Sequence, residues 1–254
     1  MTYARLIQNG SMFYAAYKDG SYYKIEGDLF DEHKVTDQKV EGDFKIAPPV
    51  TPSKIIALGV NYRNHAAELG EEIKVEPLLF MKPPTAVIAA NEIIEIANPE
   101  NRTDYEAELA VIIKKKCNRI KADEAESYIL GYTCANDVTD RVLQKKDGQW
   151  IRAKGFDTYC PLGPHIVTNI SPMGLRVQSI LNGEVRQDST TDKMINNVFD
   201  TVAFISNIMT LLPGDVIMTG TPEGIGPLSA GDEIEIRIQG VGSLVNRVVN
   251  REND

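Results

Sequence analysis

Short apolar–polar alternations, each closed by a turn signal, run through most of this chain, and that rhythm points to a fold built mainly from strands. "ARLIQ", "MFYAAYK" and "YYKIE" near the start are separated by "NGS" and "DGS", whose Asn-Gly and Asp-Gly pairs favour tight hairpins. Strand signals continue at "KIIALGV" (Lys54 to Val60), "LLFMK", "EIIEIA", "YEAELAVIIK" and "YTCANDV". They are followed by a hairpin, "SILNGEVRQ", turning on Asn182-Gly183, then by "DVIMTG" and the alternating "EIEIRIQGVGSLVNRVV". Helical spacing is clearest in "NYRNHAAELG", opened near Asn61 and stopped by Gly70, and in "VFDTVAFISNIMTLL". Strands outnumber helices and no regular βαβ repeat is present, so the expected class is a β-rich α+β fold.

The Pro-rich "APPVTPSK" reads as a linker. It divides the chain into a small N-terminal β domain over residues 1–50 and a main domain over residues 51–254. The chain of 254 residues is long enough for a sizeable core. Its formal charge is −9, and no run of Lys or Arg exceeds Lys114 to Lys116, which argues against binding to a phosphate backbone. The N-terminus has no basic segment followed by an apolar run. "TVAFISNIMTLLPGDVIM" is broken by Ser206, Asn207, Thr210 and Pro213, too early for a membrane span. Cys117, Cys134 and Cys160 form an odd set without a CxxC pair, as expected of reduced, buried thiols. The expectation is a cytoplasmic protein with neither nucleic acid nor membrane as partner.

Chemistry concentrates in "NRTDYEAELAVII". On a strand, Asp104, Glu106 and Glu108 point one way, and Tyr105, Leu109, Val111 and Ile113 the other. Carboxylates two residues apart have Cα atoms roughly 6.5 to 7 Å apart. Their oxygens can converge on a hard cation at about 2.0 to 2.1 Å. A solvated acidic face of an antiparallel sheet explains the same pattern, so the strand alone leaves both readings open.

Three further features carry polar groups. In "ANDVTDRVLQ", Asp137 ends a strand-like run, and Arg141 and Gln144 share its face if the chain turns helical there; Asp137 as a helix cap is the ordinary alternative. His65 and Glu68 are neighbours on the first predicted helix, where a carboxylate can orient an imidazole and raise its basicity, although an exposed pair fits equally well. Lys154, in "RAKGFDTYCPLG", reads by default as a solvated loop lysine. The loop "TGTPEGIG" lacks the Lys-Ser/Thr ending of a nucleotide cradle, so its glycines are expected to admit a small ligand, with Thr221 as hydroxyl donor.

The segments "GVNYRNHAAELG", "LLFMKPPTA", "DYEAELAVII", "GYTCANDVTDR", "KGFDTYCPLGP", "LNGEVRQ" and "GDVIMTGTPEGIG", in that order, resemble the fumarylacetoacetate hydrolase family from about Lys54 to the end. The resemblance implies layered, rolled β-sheets, a homodimer, and Mg²⁺ or Mn²⁺ held by Glu106, Glu108 and Asp137. It implies that His65 and Glu68 activate water, and that Lys154, Arg141, Gln144 and Thr221 contact substrate or stabilise negative charge. The family's namesake has a further aspartate ligand upstream of its histidine, where "IALGV" offers no carboxylate here. That directs the resemblance to the branch acting on acylpyruvates, oxaloacetate or 2-hydroxydienedioates.

On this basis the metal with its three carboxylates carries −1, a bound 2-oxo carboxylate makes −2, and Lys154 and Arg141 restore neutrality. The expected activity is metal-assisted hydrolysis of a C–C bond in an acylpyruvate through an enolate, with oxaloacetate decarboxylation or tautomerisation and 2-hydroxyhepta-2,4-diene-1,7-dioate isomerisation as alternatives. A metal-stabilised binding module without turnover is the reading from outside enzymology.

Overall fold

The Asn-Gly and Asp-Gly pairs do what their chemistry allows. Asn9-Gly10, Asp19-Gly20 and Asn182-Gly183 all have positive φ at both residues, the backbone that matches the twist of a two-residue hairpin. The computed structural model describes residues 1–70, 72–73 and 76–252. Its architecture is mostly β-sheet, with layered mixed sheets and few helices.

The main path of the large sheet runs His33–Lys39, Ser21–Gly27, Ser11–Lys18, Thr2–Gln8, Cys160–Val167, Ile129–Asn136, Ala107–Ile113, Val216–Met218, Ile55–Gly59, Leu78–Lys82. Most neighbours are antiparallel, but Val216–Met218 pairs in parallel with Ile55–Gly59. A second sheet has the order Glu184–Thr190, Arg176–Leu181, Glu233–Ile238, Gly242–Asn250, Ile93–Ile96. A small third sheet joins Thr139–Asp140, Thr103–Tyr105 and Gly226–Pro227.

Alternation along Ala107–Ile113 sorts its side chains into two cores. Leu109, Val111 and Ile113 pack with Val177, Ile234, Ile236 and Leu244 of the second sheet and with Val198, Val202 and Ile205. Ala110 and Ile112 pack with Tyr3, Leu29, Leu162 and Met218. That second cluster runs along the sheet from Thr2–Gln8 to Val216–Met218.

The helices are α1 (Arg63–Leu69), α2 (Arg141–Asp147), α3 (Ile151–Lys154) and α4 (Val198–Ile208). Gly70, in left-handed backbone, stops α1, as the sequence suggests. Asn197 caps α4 by accepting from the N–H groups of Phe199 and Asp200. No helix among the described residues is long and apolar enough to cross a membrane. The three cysteines are free and buried.

Residues 1–50 attach through strand pairing: Thr2 and Tyr3 face Val167 and Ile166 across the ladder. The expected linker is packed rather than loose. The Tyr14 hydroxyl donates to the Pro49 carbonyl at 3.0 Å, Arg5 donates to the Thr51 hydroxyl at 2.6 Å, and Val50 is buried.

Candidate active site

The acidic strand is buried on both faces, which removes the reading of a solvated edge. Asp104, Glu106 and Glu108 are all buried, and so is every residue from Ala107 to Ile113. The strand breaks at Glu106, between Thr103–Tyr105 and Ala107–Ile113. There the Glu106 N–H donates to the Asn136 side chain at 2.9 Å, and the Asp137 N–H donates to the Glu106 carbonyl at 2.9 Å. Two adjacent strands thus bring their carboxylates to one point. Glu106, Glu108 and Asp137 offer oxygens all within 4.8 Å of one another.

Cations answer this charge. Lys154 lies at the end of α3 and is 2% exposed, which removes the default reading of a solvated loop lysine. Its Nζ donates to Glu106 at 3.0 Å, to Asp137 at 2.5 Å and to the Thr139 hydroxyl at 2.9 Å. Lys82, at the end of Leu78–Lys82, is equally buried and donates to the other Asp137 oxygen at 2.5 Å. Arg141 donates to Asp104 at 2.8 Å, to Glu106 at 2.5 Å and to Gln144 at 2.8 Å. Asp104 also receives Arg102 through two bonds, at 2.7 and 3.0 Å. The aspartate to which the sequence assigns no role therefore anchors the arginine that reaches Glu106.

α2 begins after Asp137 rather than on it. Its cap is Asp140, which accepts from Val142 and Leu143 N–H at 3.0 Å and from the amides of Asn98 and Asn101. Asp137 is thus a buried strand-end group rather than the helix cap. Arg141 and Gln144 still share a face of the helix.

His65 is buried on α1, and its Nδ1 is 2.9 Å from a Glu68 oxygen. The other Glu68 oxygen accepts from the Gly224 N–H at 3.1 Å. The glycine-rich loop therefore seats the carboxylate that orients the imidazole. Gly220 has φ +88, and a Cβ there would stand 2.7 Å from that of Asn61, so only glycine brings its N–H to Glu108 at 2.7 Å. The Thr221 hydroxyl donates to the Ala107 carbonyl at 2.9 Å and accepts from Gln187 at 2.8 Å. Its own proton is thus directed at the protein, in contrast to the expected donor to a ligand.

His65, Glu68, Glu106, Arg141, Gln144, Lys154 and Thr221 all line one cavity of about 400 Å³. Glu108 and Asp137, the remaining two predicted site residues, sit against Glu106 and Lys154 at its floor. Sequence reading missed Lys82 and Gln187. Both lie in segments with ordinary strand patterning, and nothing local distinguishes them until their partners are known.

Burial, Asp137 and Glu106 raise the Glu108 carboxyl well above its ordinary range. Burial pushes Glu106 up as well, but Lys154, Arg141 and His65 outweigh it and hold that carboxyl far below its ordinary range. Burial alone would lower Lys154, yet Asp137 and Glu106 raise it. One Glu108 oxygen, Oε1, is buried with no hydrogen-bond partner. An all-oxygen donor set with a desolvated, unpartnered carboxylate oxygen suits a hard divalent cation.

The family model for the fumarylacetoacetate hydrolase C-terminal domain matches residues 54–249. An uncharacterised protein of Methanocaldococcus jannaschii is 49% identical over 88% of this chain and 97% of its own length. The mitochondrial oxaloacetate tautomerase of Rattus norvegicus is 37% identical over 80% of this chain and 69% of its own. The crystal structure of 2-hydroxyhepta-2,4-diene-1,7-dioate isomerase from Mycobacterium marinum superposes with a TM-score of 0.90 at 37% identity, covering 100% of both chains. With a family match across most of its length, the chain belongs to the fumarylacetoacetate hydrolase family.

Proposed function

We propose that this protein is a divalent-metal-dependent enzyme that interconverts the keto and enol forms of a 2-oxo dicarboxylate, with the enolate as the shared state. The observation that carries the reading is the convergence of Glu106, Glu108 and Asp137 beneath a cavity that also presents the His65–Glu68 pair. Glu106, Glu108 and Asp137 would hold Mg²⁺ or Mn²⁺. The bound cation supplies a Lewis acid that takes up charge developing on the 2-oxo oxygen.

The chain's own groups account for the rest. With Glu68 accepting from Nδ1–H, the other ring nitrogen of His65 carries the lone pair that removes a proton from the carbon next to the 2-oxo group and returns it to carbon or oxygen. Gly224 fixes Glu68 and so fixes the ring. Gln144 and Arg141 hold the ligand's carboxylate from α2, and Lys154 stands where negative charge grows.

The charge count made from sequence needs correction, because it lacks Lys82, Asp104 and Arg102. Asp104, Glu106, Glu108 and Asp137 face Lys82, Arg102, Arg141 and Lys154, four of each sign, and Glu68 and Lys145 of the cavity lining add one more of each. A divalent cation then leaves two positive charges, which a dianion neutralises better than a monoanion. This favours the tautomerase and isomerase activities named for the relatives over acylpyruvate cleavage, the first choice on sequence grounds. Acylpyruvate hydrolysis is the second reading, supported by the His65–Glu68 pair, which can equally activate water. The division into residues 1–50 and 51–254, a homodimeric state and a cytoplasmic location complete the reading.

The test follows the enol absorbance of oxaloacetate with Mg²⁺ or Mn²⁺, and pyruvate release from acetylpyruvate under the same conditions. Accelerated tautomerisation that disappears in Glu106→Ala and His65→Ala supports the proposal. Turnover surviving in Glu106→Ala sinks the mechanism, and faster cleavage of acetylpyruvate moves the assignment to hydrolysis.

A further inference from the structure

The cavity has an apolar stretch of wall besides its charged groups, and one side chain there belongs to two spaces at once. Leu58, Gly59, Val60, Leu69 and Trp150 line that wall. Trp150 also lines a neighbouring groove of about 380 Å³, whose other walls include Leu78, Phe80, Met81 and Ile151. Trp150 is the residue common to the linings of the site cavity and the groove.

That ring is held from several sides. A Cβ on Gly59 would come within 2.6 Å of the Trp150 ring, so the indole closes directly against the backbone at that point. The Phe80 ring meets it edge-on, with centroids 5.3 Å apart. The Lys154 ammonium stands 4.7 Å from the Phe80 centroid and 5.8 Å from that of Trp150. Trp150 caps the start of α3, the helix that ends in Lys154, so its position is tied to the polar half of the site.

We propose that Trp150 sets the size of the distal group the site admits, acting as the partition between the catalytic cavity and the apolar groove. The inference rests on the 2-oxo acid reading above and adds the class within it: the native protein takes 2-oxo acids with compact distal groups. Bulky aryl or long acyl groups are excluded until the partition is removed. Leu78, Met81 and Ile151 would then surround such a group with apolar surface. Trp150 is the chain's only tryptophan, so its emission also reports directly on what enters the cavity.

The experiment uses the full chain with Mg²⁺ and two probes: oxalate, a compact planar mimic of a 2-oxo acid enolate, and benzoylpyruvate, which adds an aryl group. Calorimetry gives both affinities for the wild type, for Trp150→Ala and for Trp150→Phe, which keeps a ring beside Lys154. The expected result is that Trp150→Ala binds benzoylpyruvate about tenfold or more tightly than the wild type, while oxalate changes by less than about threefold. Trp150→Phe should fall between the two, and oxalate should alter the tryptophan emission of the wild type. Parallel loss of both ligands in Trp150→Ala and Trp150→Phe, or equal binding of benzoylpyruvate by all three proteins, overturns the partition role. Failure of oxalate to bind the wild type overturns the 2-oxo acid reading itself, which separates the two failures.

Discussion

Glu106 and Glu108 lie two positions apart in the chain and are driven in opposite directions. Burial pushes both up, but Lys154 and Arg141 lie against Glu106, while Glu108 meets burial and two carboxylates with only partial relief. Glu108 therefore has a folded-state pKa above its ordinary 4.5. Its contribution to stability is full below that value and declines as pH rises, because the fold then holds a proton that the unfolded chain has released. Glu106 has the opposite sign, contributing above its ordinary range and losing that contribution in acid. In chelator at pH 8, Glu108→Gln should melt above the wild type by about 2–4 °C. Mg²⁺ should raise the melting point of the wild type alone. A lower melting point for the variant in chelator would contradict the assignment. Asp104 supports a second prediction at this scale. Its removal leaves the largely buried Arg141 short of one of its two carboxylate partners, so Asp104→Ala should cost about 3–5 kcal/mol in urea unfolding. A loss below about 1 kcal/mol would mean that the pair behaves like a surface ion pair.

At the scale of elements, the site depends on where short helices begin. Asp140 ends a strand and starts α2, and its carboxylate gathers two backbone N–H groups and two asparagine amides. Asp140→Ala should cost about 1–2 kcal/mol of stability in denaturant titration. It should also lower kcat/KM on the substrate by about tenfold or more, since Arg141 and Gln144 project from the turn it caps. Stability lost with kcat/KM unchanged would show that the cap does not position the site. The strands and hairpin turns were legible because alternation and Asn-Gly pairs act locally. Burial was not, since an acidic strand looks the same whether water or Lys154 and Arg141 answer its charge. The choice between Asp137 and Asp140 as helix cap was equally hidden, because both precede the helix and only the observed turn decides between them.

Across the whole molecule, the N-terminal strands extend the large sheet, and residues 1–50 contribute Tyr3, Ala16 and Leu29 to the same core as Leu162, Ile166 and Met218. A chain beginning at Thr51 loses these groups and bares the strand Cys160–Val167, which carries an edge of unpaired backbone groups. Such a fragment should aggregate or melt at least about 10 °C below the full chain by calorimetry, given the apolar area exposed. A soluble fragment melting close to the full chain would establish the two regions as independent units. The sequence by itself determined the β-rich class, the hairpin positions, the family and a set of nine candidate site residues, because these depend on local backbone preference and on motif order. Only the tertiary structure decided that Lys82 and Lys154 are buried on Asp137, that Asp104 anchors Arg141, and that Trp150 lines two cavities. Those are relations between groups from 17 to 91 residues apart in the chain. Charge pairing and wall packing act through space, so their partners can be named only once the sheets have brought them together.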